Sequence, residues 1–262
     1  ASFATYSIPS SFIARTCSKN NAIWGHADYL SLYNNNIEEM KDFFYKRKIS
    51  KFKNIVFVSN EGKESFIKAF PKLKDRVYVC NNLINYKRIL NKAEEPINDL
   101  KNVGRHDEKQ KKLTRVIYSA EKLKKDNKKF RIIFIGDGPD TELYRKQVKE
   151  KGLEKEIIFL GRKKNPYPYF KLADCVVLSS DYEGYPVVYL ESFVMQKPII
   201  TTNVSDSEQI EGHGIVVEKD ENEIYKAMKQ YIEKGYEITK KFDAEEYNNK
   251  IYEKLNELWG RY

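Results

Sequence analysis

The stretch "CVVLSSDYEGYPVVYLESFVMQKPIITT" spans Cys175 to Thr202 and changes its periodicity twice within twenty-eight residues. "CVVLSS" is a short apolar run closed by serines and reads as a strand. "DYEGYP" supplies a turn, with Gly184 and Pro186, and "VVYLESFVM" then reads as a helix whose first turns carry Glu191. "KPIITT" is a second apolar, β-branched run. The segment is therefore a strand, a turn, a helix and a returning strand, with one carboxylate, Glu183, at the helix mouth and another inside the helix.

Outward from it the alternation repeats. "RIIFIG" precedes "TELYRKQVKEKG", "EIIFLG" follows, and "GIVVEK" precedes "ENEIYKAMKQYIEKG". The strands have no polar alternate face, as parallel strands covered by helices on both sides require, and apart from "GIVVEK" they end in Gly, Ser or Thr. The expected fold class is α/β, a Rossmann-like doubly wound parallel sheet. In such a sheet a ligand sits outside the carboxyl ends of the strands, where helix N-termini favour an anion. The residues that follow the apolar runs are then the candidates: Gly104 and Arg105, Gly136 to Pro139, Gly161 and Arg162, Ser179 to Glu183, and Thr202 with Asn203.

Composition limits the function. The 262 residues are 41% hydrophobic and 13% aromatic, enough for two domains with a core. Cys17, Cys80 and Cys175 have no metal-type or disulfide-framework spacing, which points to a reducing, cytoplasmic setting. No run reaches the roughly 20 apolar residues that cross a bilayer, and "ASFATYSIPSSFIA" lacks a signal-peptide pattern. Residues 1–130 carry a net +13 and residues 131–262 a net −4. A solvated lysine-rich surface, attraction to anionic lipid or phosphate, and nucleic acid all compete for that basic half. Its scattered cations, without interleaved aromatics, speak against nucleic acid.

Taken by themselves, Glu183 and Glu191 fit two readings. Carboxylates at such positions can accept from adjacent hydroxyls of a ribose or sugar. They can equally be a helix-mouth charge and a solvated helix position.

Five segments in order resemble the family 4 glycosyltransferases, retaining enzymes of the GT-B fold that use nucleotide-activated sugars. "DYEGYPVVYLESFVMQKPIITTNV" is similar to their E-x7-E segment, "NVGRHDEKQKKLTRVIYSAEKL" to their VGR and QK loop, and "RIIFIGDGPDTELY" to their GDGP turn. "IIFLGRKKNPYPYFKLADCVVLSS" and "FKNIVFVSNEGKESFIKAFP" resemble two further segments. The resemblance covers nearly the whole chain.

It implies residue roles. Arg105 and Lys111 would hold the donor diphosphate in place of a metal, with Lys112 as the alternative to Lys111, because the loop is one residue longer than the common form. Glu191 would hold the ribose hydroxyls and Glu183 those of the transferred sugar. Gly184, Tyr185 and Pro186 would bring backbone near sugar and phosphate, and the proline has no N–H to offer. Gly104 and Gly138 would line the donor site, and the base would lie near Gly161 and Arg162. His26 resembles a histidine that approaches the donor sugar, with a structural histidine as the other reading, and Asp28 is a weaker acceptor-side candidate. His106, His213 and the aromatics of "NPYPYF" are assigned no role.

The implied activity is metal-independent retaining transfer, with no cofactor beyond a UDP- or GDP-linked donor as substrate. The acceptor would be a saccharide or lipid-linked saccharide in bacterial capsule or cell-surface polysaccharide synthesis, with peripheral contact at the inner face of the plasma membrane. The resemblance implies a partial acceptor-side domain over residues 1–96, joined near 91–98 to a complete nucleotide-sugar domain over 97–262. A terminal crossover helix near 243–259 would use Tyr252, Leu255 and Trp259 as its packing face. A partial first domain exposes a sheet edge, which implies a partner subunit or self-association. The alternatives are a non-catalytic nucleotide-sugar-binding subunit, and another GT-B activity such as a phosphorylase or epimerase. A dehydrogenase is disfavoured, because no GxGxxG follows a strand.

Overall fold

Parallel β/α units build both parts of the chain. The structure, a computed structural model, describes residues 21–96 and 106–260. Among them two compact units form: one from the chain up to Ile84, Tyr182–Val187 and the chain from Asp243 on, the other from Asn85–Asp181 and Val188–Phe242.

In the first unit, β1 (Ala22–Gly25), β2 (Asn54–Phe57) and β3 (Val77–Val79) pair in parallel in that order, with Ala22 opposite Asn54 and Ile55 opposite Val77. Every residue of β1 and β2 is buried, which fits apolar strands covered on both faces. The covering helices include α1 (Tyr29–Leu32), α2 (Ile37–Lys46) and α3 (Asn60–Ala69). Asn36 caps α2 through Glu38 N and Glu39 N, and Ser59 caps α3 through Gly62 N. Their inner faces bring Phe44 edge-on to Phe66 at 5.0 Å between ring centres, within a core that also holds Tyr29, Met40 and Phe57. Such a pair contributes about 0.5–1.5 kcal/mol beyond the burial of its area.

The second unit contains α4 (Tyr86–Ala93), α5 (Leu113–Lys125), β4 (Ile132–Ile135), α6 (Thr141–Glu150), β5 (Ile157–Gly161), α7 (Tyr167–Leu172) and β6 (Val176–Leu178). It continues through α8 (Val187–Val194), β7 (Ile199–Thr202), β8 (Gly214–Val217) and α9 (Glu221–Lys234). β4 pairs with β5, and β6, β7 and β8 pair in that order, all in parallel. α5 packs in two directions: Val116, Ile117 and Ala120 join Phe134 and Tyr144, while Leu123 joins Ile200, Ile224 and Met228. The β/α alternation and parallel pairing read from the sequence are what the chain adopts; the strand expected just before Gly104 lies outside the described residues.

The boundaries differ from those expected. The division falls after Ile84 rather than at 96, because α4 belongs with the second unit. The last helix, α10 (Ala244–Gly260), belongs with the first unit. Its packing face is the expected one only in part. Ile251 and Leu258 are buried and Leu255, on the same stripe, is partly covered, whereas Tyr252 is 52% exposed. The Trp259 side chain lies outside the described residues. Among the described cysteines, Cys80 and Cys175 are free thiols, and burial pushes Cys175 up to about 12. No helix among the described residues is long and apolar enough to cross a membrane.

Candidate functional site

The loop "HDEKQKK" is tied to the end of β6. Ser179 Oγ donates to the Lys111 carbonyl at 2.8 Å and lies 3.1 Å from that of Lys112, and Asp181 N donates to Gln110 O at 2.8 Å. Lys112 adopts a left-handed conformation, φ 49°, and its ammonium stands 3.7 Å from Asp181 and 3.9 Å from Glu108. Asp181 is further held by Arg115 at 2.6 Å. Lys112, one of the two lysines that the sequence left open, thus lies within ion-pair distance of two carboxylates. Gly104 and Arg105 lie outside the described residues.

His106, which the sequence reading passed over, is a buried anchor at 3% exposure. Its backbone N–H donates to Asp137 O at 3.0 Å, and its carbonyl accepts from Asp140 N. Its Nδ1 is 2.9 Å from Thr141 Oγ1. Thr141 donates its only proton to Asp137 and accepts from Gly138 N, so the ring nitrogen is the donor: His106 carries its proton on Nδ1. Burial lowers its pKa, keeping the ring neutral. The GDGP turn packs so closely here that a Cβ on Gly138 would stand 2.2 Å from the His106 carbonyl oxygen. Glycine is required at 138 by contact with the backbone.

Gly161 closes β5 with φ 65°, a left-handed geometry that only glycine adopts freely. Arg162 beside it is exposed, with Nε 3.8 Å from Asp137. Asp137 is held below its ordinary range by Thr141, then by the Gly138 N–H and Arg162.

Glu191 sits inside α8, half-buried, and accepts from the Tyr167 hydroxyl at 3.0 Å. Burial raises its pKa, and the Tyr167 bond opposes that rise. The same environment pushes Tyr167 up to about 12, so its hydroxyl remains a donor at neutral pH. Tyr167 is the second residue that sequence reasoning missed. The motif "NPYPYF" was visible, but its pairing with a helix 24 residues away was not.

In the first unit, Glu183 is 8% exposed and Gly184, Tyr185 and Pro186 are buried. Gly184 lies against the chain leaving β1: a Cβ there would stand 2.0 Å from the His26 carbonyl oxygen and 2.9 Å from Ala27 Cα. His26 is thereby brought beside the Glu183 loop. The Tyr185 hydroxyl is 3.2 Å from that of Tyr247 on α10, which donates to Asn82 O at 2.9 Å. The Tyr185 side chain is therefore held against α10 within the first unit. Asp28 is a correction. Its carboxylate caps α1 through Leu30 N and Ser31 N, and accepts from Ser31 Oγ at 2.5 Å. His213 is buried against the Phe193 ring, 4.2 Å between centres, with its pKa lowered by burial.

Residues 98–234, just over half of the chain, match the family model for glycosyl transferases group 1. The chain belongs to that family.

Among relatives of this glycosyl transferases group 1 chain, an uncharacterized glycosyltransferase of Methanocaldococcus jannaschii is 26% identical over 189 residues, 65% of this chain and 46% of the relative. The N-acetylgalactosamine-N,N'-diacetylbacillosaminyl-diphospho-undecaprenol 4-alpha-N-acetylgalactosaminyltransferase of Campylobacter jejuni is 26% identical over 190 residues, 69% of this chain and 51% of the relative. The capsular polysaccharide biosynthesis glycosyltransferase CapH of Staphylococcus aureus is 30% identical over 164 residues, 60% of this chain and 44% of the relative. The chain spans about half the length of the curated relatives it matches. Of solved structures, Anabaena Alr3699/HepE in complex with UDP superposes with a TM-score of 0.71 at 17% identity, covering 94% of this chain and 74% of that one. TarM gives 0.74 at 16% identity, covering 95% and 53%. These likenesses establish the GT-B type of α/β fold.

Proposed function

We propose that the protein transfers a sugar, with retention and without a metal, from a UDP- or GDP-linked donor to a saccharide or lipid-linked saccharide acceptor in cell-surface polysaccharide synthesis. The observation that carries the reading is the E-x7-E stretch within a glycosyl transferases group 1 chain, its second carboxylate held half-buried inside α8. Glu191 accepts from the ribose hydroxyls, and Glu183 from those of the transferred sugar, with His26 on the acceptor side. Arg105 and Lys111 hold the diphosphate. Gly104, Gly138, Gly161 and Arg162 line the donor site, and the backbone of Gly184 and Tyr185 reaches the sugar beside Pro186.

In this reading the bond from the anomeric carbon to the diphosphate breaks with its electron pair leaving on the diphosphate. The acceptor oxygen bonds on the same face, and its proton passes to the departing group. Cations and helix N-termini stabilise the developing charge, which is the term a metal would otherwise supply. The acceptor class is supported by the names of two relatives, a diphospho-undecaprenol glycosyltransferase and a capsular polysaccharide glycosyltransferase. The basic first half supports work at the anionic inner face of the membrane.

Calorimetry of UDP and GDP binding in EDTA, with Glu191→Ala and Arg105→Ala beside the parent, tests the reading. Metal-free binding of one nucleotide, weakened about tenfold or more by each substitution, is expected. Absence of binding to the folded chain, or binding that needs a divalent ion, overturns it.

A further inference from the structure

Resting on the reading of Glu191 as the ribose acceptor, we propose that Tyr167 is a positioning residue that makes the site selective for ribose. Its hydroxyl donates to Oε1 of Glu191 at 3.0 Å and fixes how the carboxylate meets the sugar hydroxyls.

A glutamate side chain offers several lone-pair directions over two oxygens, and a half-buried one has lost much of the water that would share them. One donor on Oε1 removes that freedom and leaves Oε2 as the oxygen best placed for a ligand. The donor is itself held in place. Asn165 Nδ2 donates to Lys92 O at 2.6 Å and to Glu95 at 2.8 Å, while its Oδ1 accepts from Tyr167 N at 3.2 Å. Lys171, later in α7, pairs with Glu94 at 2.5 Å. The start of α7 is thus fastened to the end of α4, and the Tyr167 ring projects from a fixed point. A tyrosine present only to fill space has no need of a carboxylate partner; this one is bonded to one of the two that the motif supplies. Tyr169, on the same short helix, makes no hydrogen bond through its hydroxyl among those resolved and serves as the control.

The experiment uses the full chain and calorimetry. UDP and GDP are titrated first, and the tighter binder is compared with its 2′,3′-dideoxy counterpart on the parent, Tyr167→Phe, Glu191→Gln and Tyr169→Phe, with thermal melts confirming that each variant is folded. The parent is expected to prefer the ribonucleotide about tenfold or more. Tyr167→Phe is expected to weaken the ribonucleotide about tenfold while leaving the dideoxy form within about twofold, so that the preference collapses. Tyr169→Phe should retain it. If Glu191→Gln abolishes the preference while Tyr167→Phe keeps it, or weakens both ligands alike, the positioning role is overturned and the reading of Glu191 stands. If the parent binds neither nucleotide, or Glu191→Gln leaves the preference intact, the reading itself fails and takes this inference with it.

Discussion

Gly184 and His26 are 158 positions apart in the chain, yet their backbones meet so closely that a methyl group on Gly184 would stand 2.0 Å from the His26 carbonyl oxygen. The obstacle is main chain on both sides, so rotating a side chain gives no relief. Gly184→Ala must displace the Glu183 loop, the chain after β1, or both. We expect a stability loss of about 1–3 kcal/mol by thermal melting. The intact sugar nucleotide should bind at least tenfold more weakly, since a loop shift of about 1 Å is costly at a positioned site. Affinity for the bare nucleotide should fall less, because it lacks the sugar contacts of the Glu183 loop, and calorimetry with the two ligands separates these effects.

Glu191 gives a pH dependence of known sign. Burial raises its pKa in the folded chain, so folding favours the protonated carboxyl. Its contribution to stability is fully present below the unfolded value near about 4.3 and is lost as pH rises through the folded value. In the proposed function ribose binding runs the other way, because a carboxylate that accepts from the hydroxyls must be ionised. Nucleotide affinity should therefore fall on acidification, with the fall beginning above the range of an ordinary carboxylate. Glu191→Gln should bind weakly and flatten that limb; an identical acid limb in the variant would assign the titration to another group.

His106 predicts a second slope. Its folded pKa is lowered by burial, so the unfolded chain takes up the proton more readily, and stability should decline as pH falls below about 6.5. His106→Ala should remove that contribution to the slope and cost about 1–3 kcal/mol at neutral pH, because Thr141 loses a donor and the GDGP turn its backing. Denaturant melts across pH give both quantities.

Asn248 on α10 spans Ile84, accepting from its N–H at 3.0 Å and donating to its carbonyl at 2.8 Å. Asn248→Ala leaves both groups without that partner and should cost about 1–3 kcal/mol. Asn248→Asp keeps the acceptor and loses the donor, so it should fall between the parent and the alanine variant in the same melt.

The sequence by itself determined the β/α alternation, the parallel strands and the turn, helix and carboxylate order of the Glu183 to Glu191 stretch. Each is a local matter: apolar period, turn chemistry and helix start signals act over a few residues, and the strands and helices formed where those signals stand. Only the tertiary structure decided what those residues touch. Tyr167 reaches Glu191 across 24 positions, and Gly184 meets His26. His106 backs the GDGP turn, and Asp28 spends its carboxylate on a helix cap. Tyr252 was misplaced on the packing face of α10 for the same reason, since a helix with apolar residues at several phases buries those its neighbours can cover, here Ile251 and Leu258 with Leu255 partly covered. The period of a pattern is written along the chain, whereas the partner of a side chain is set by which distant segments the fold brings within hydrogen-bond or van der Waals reach.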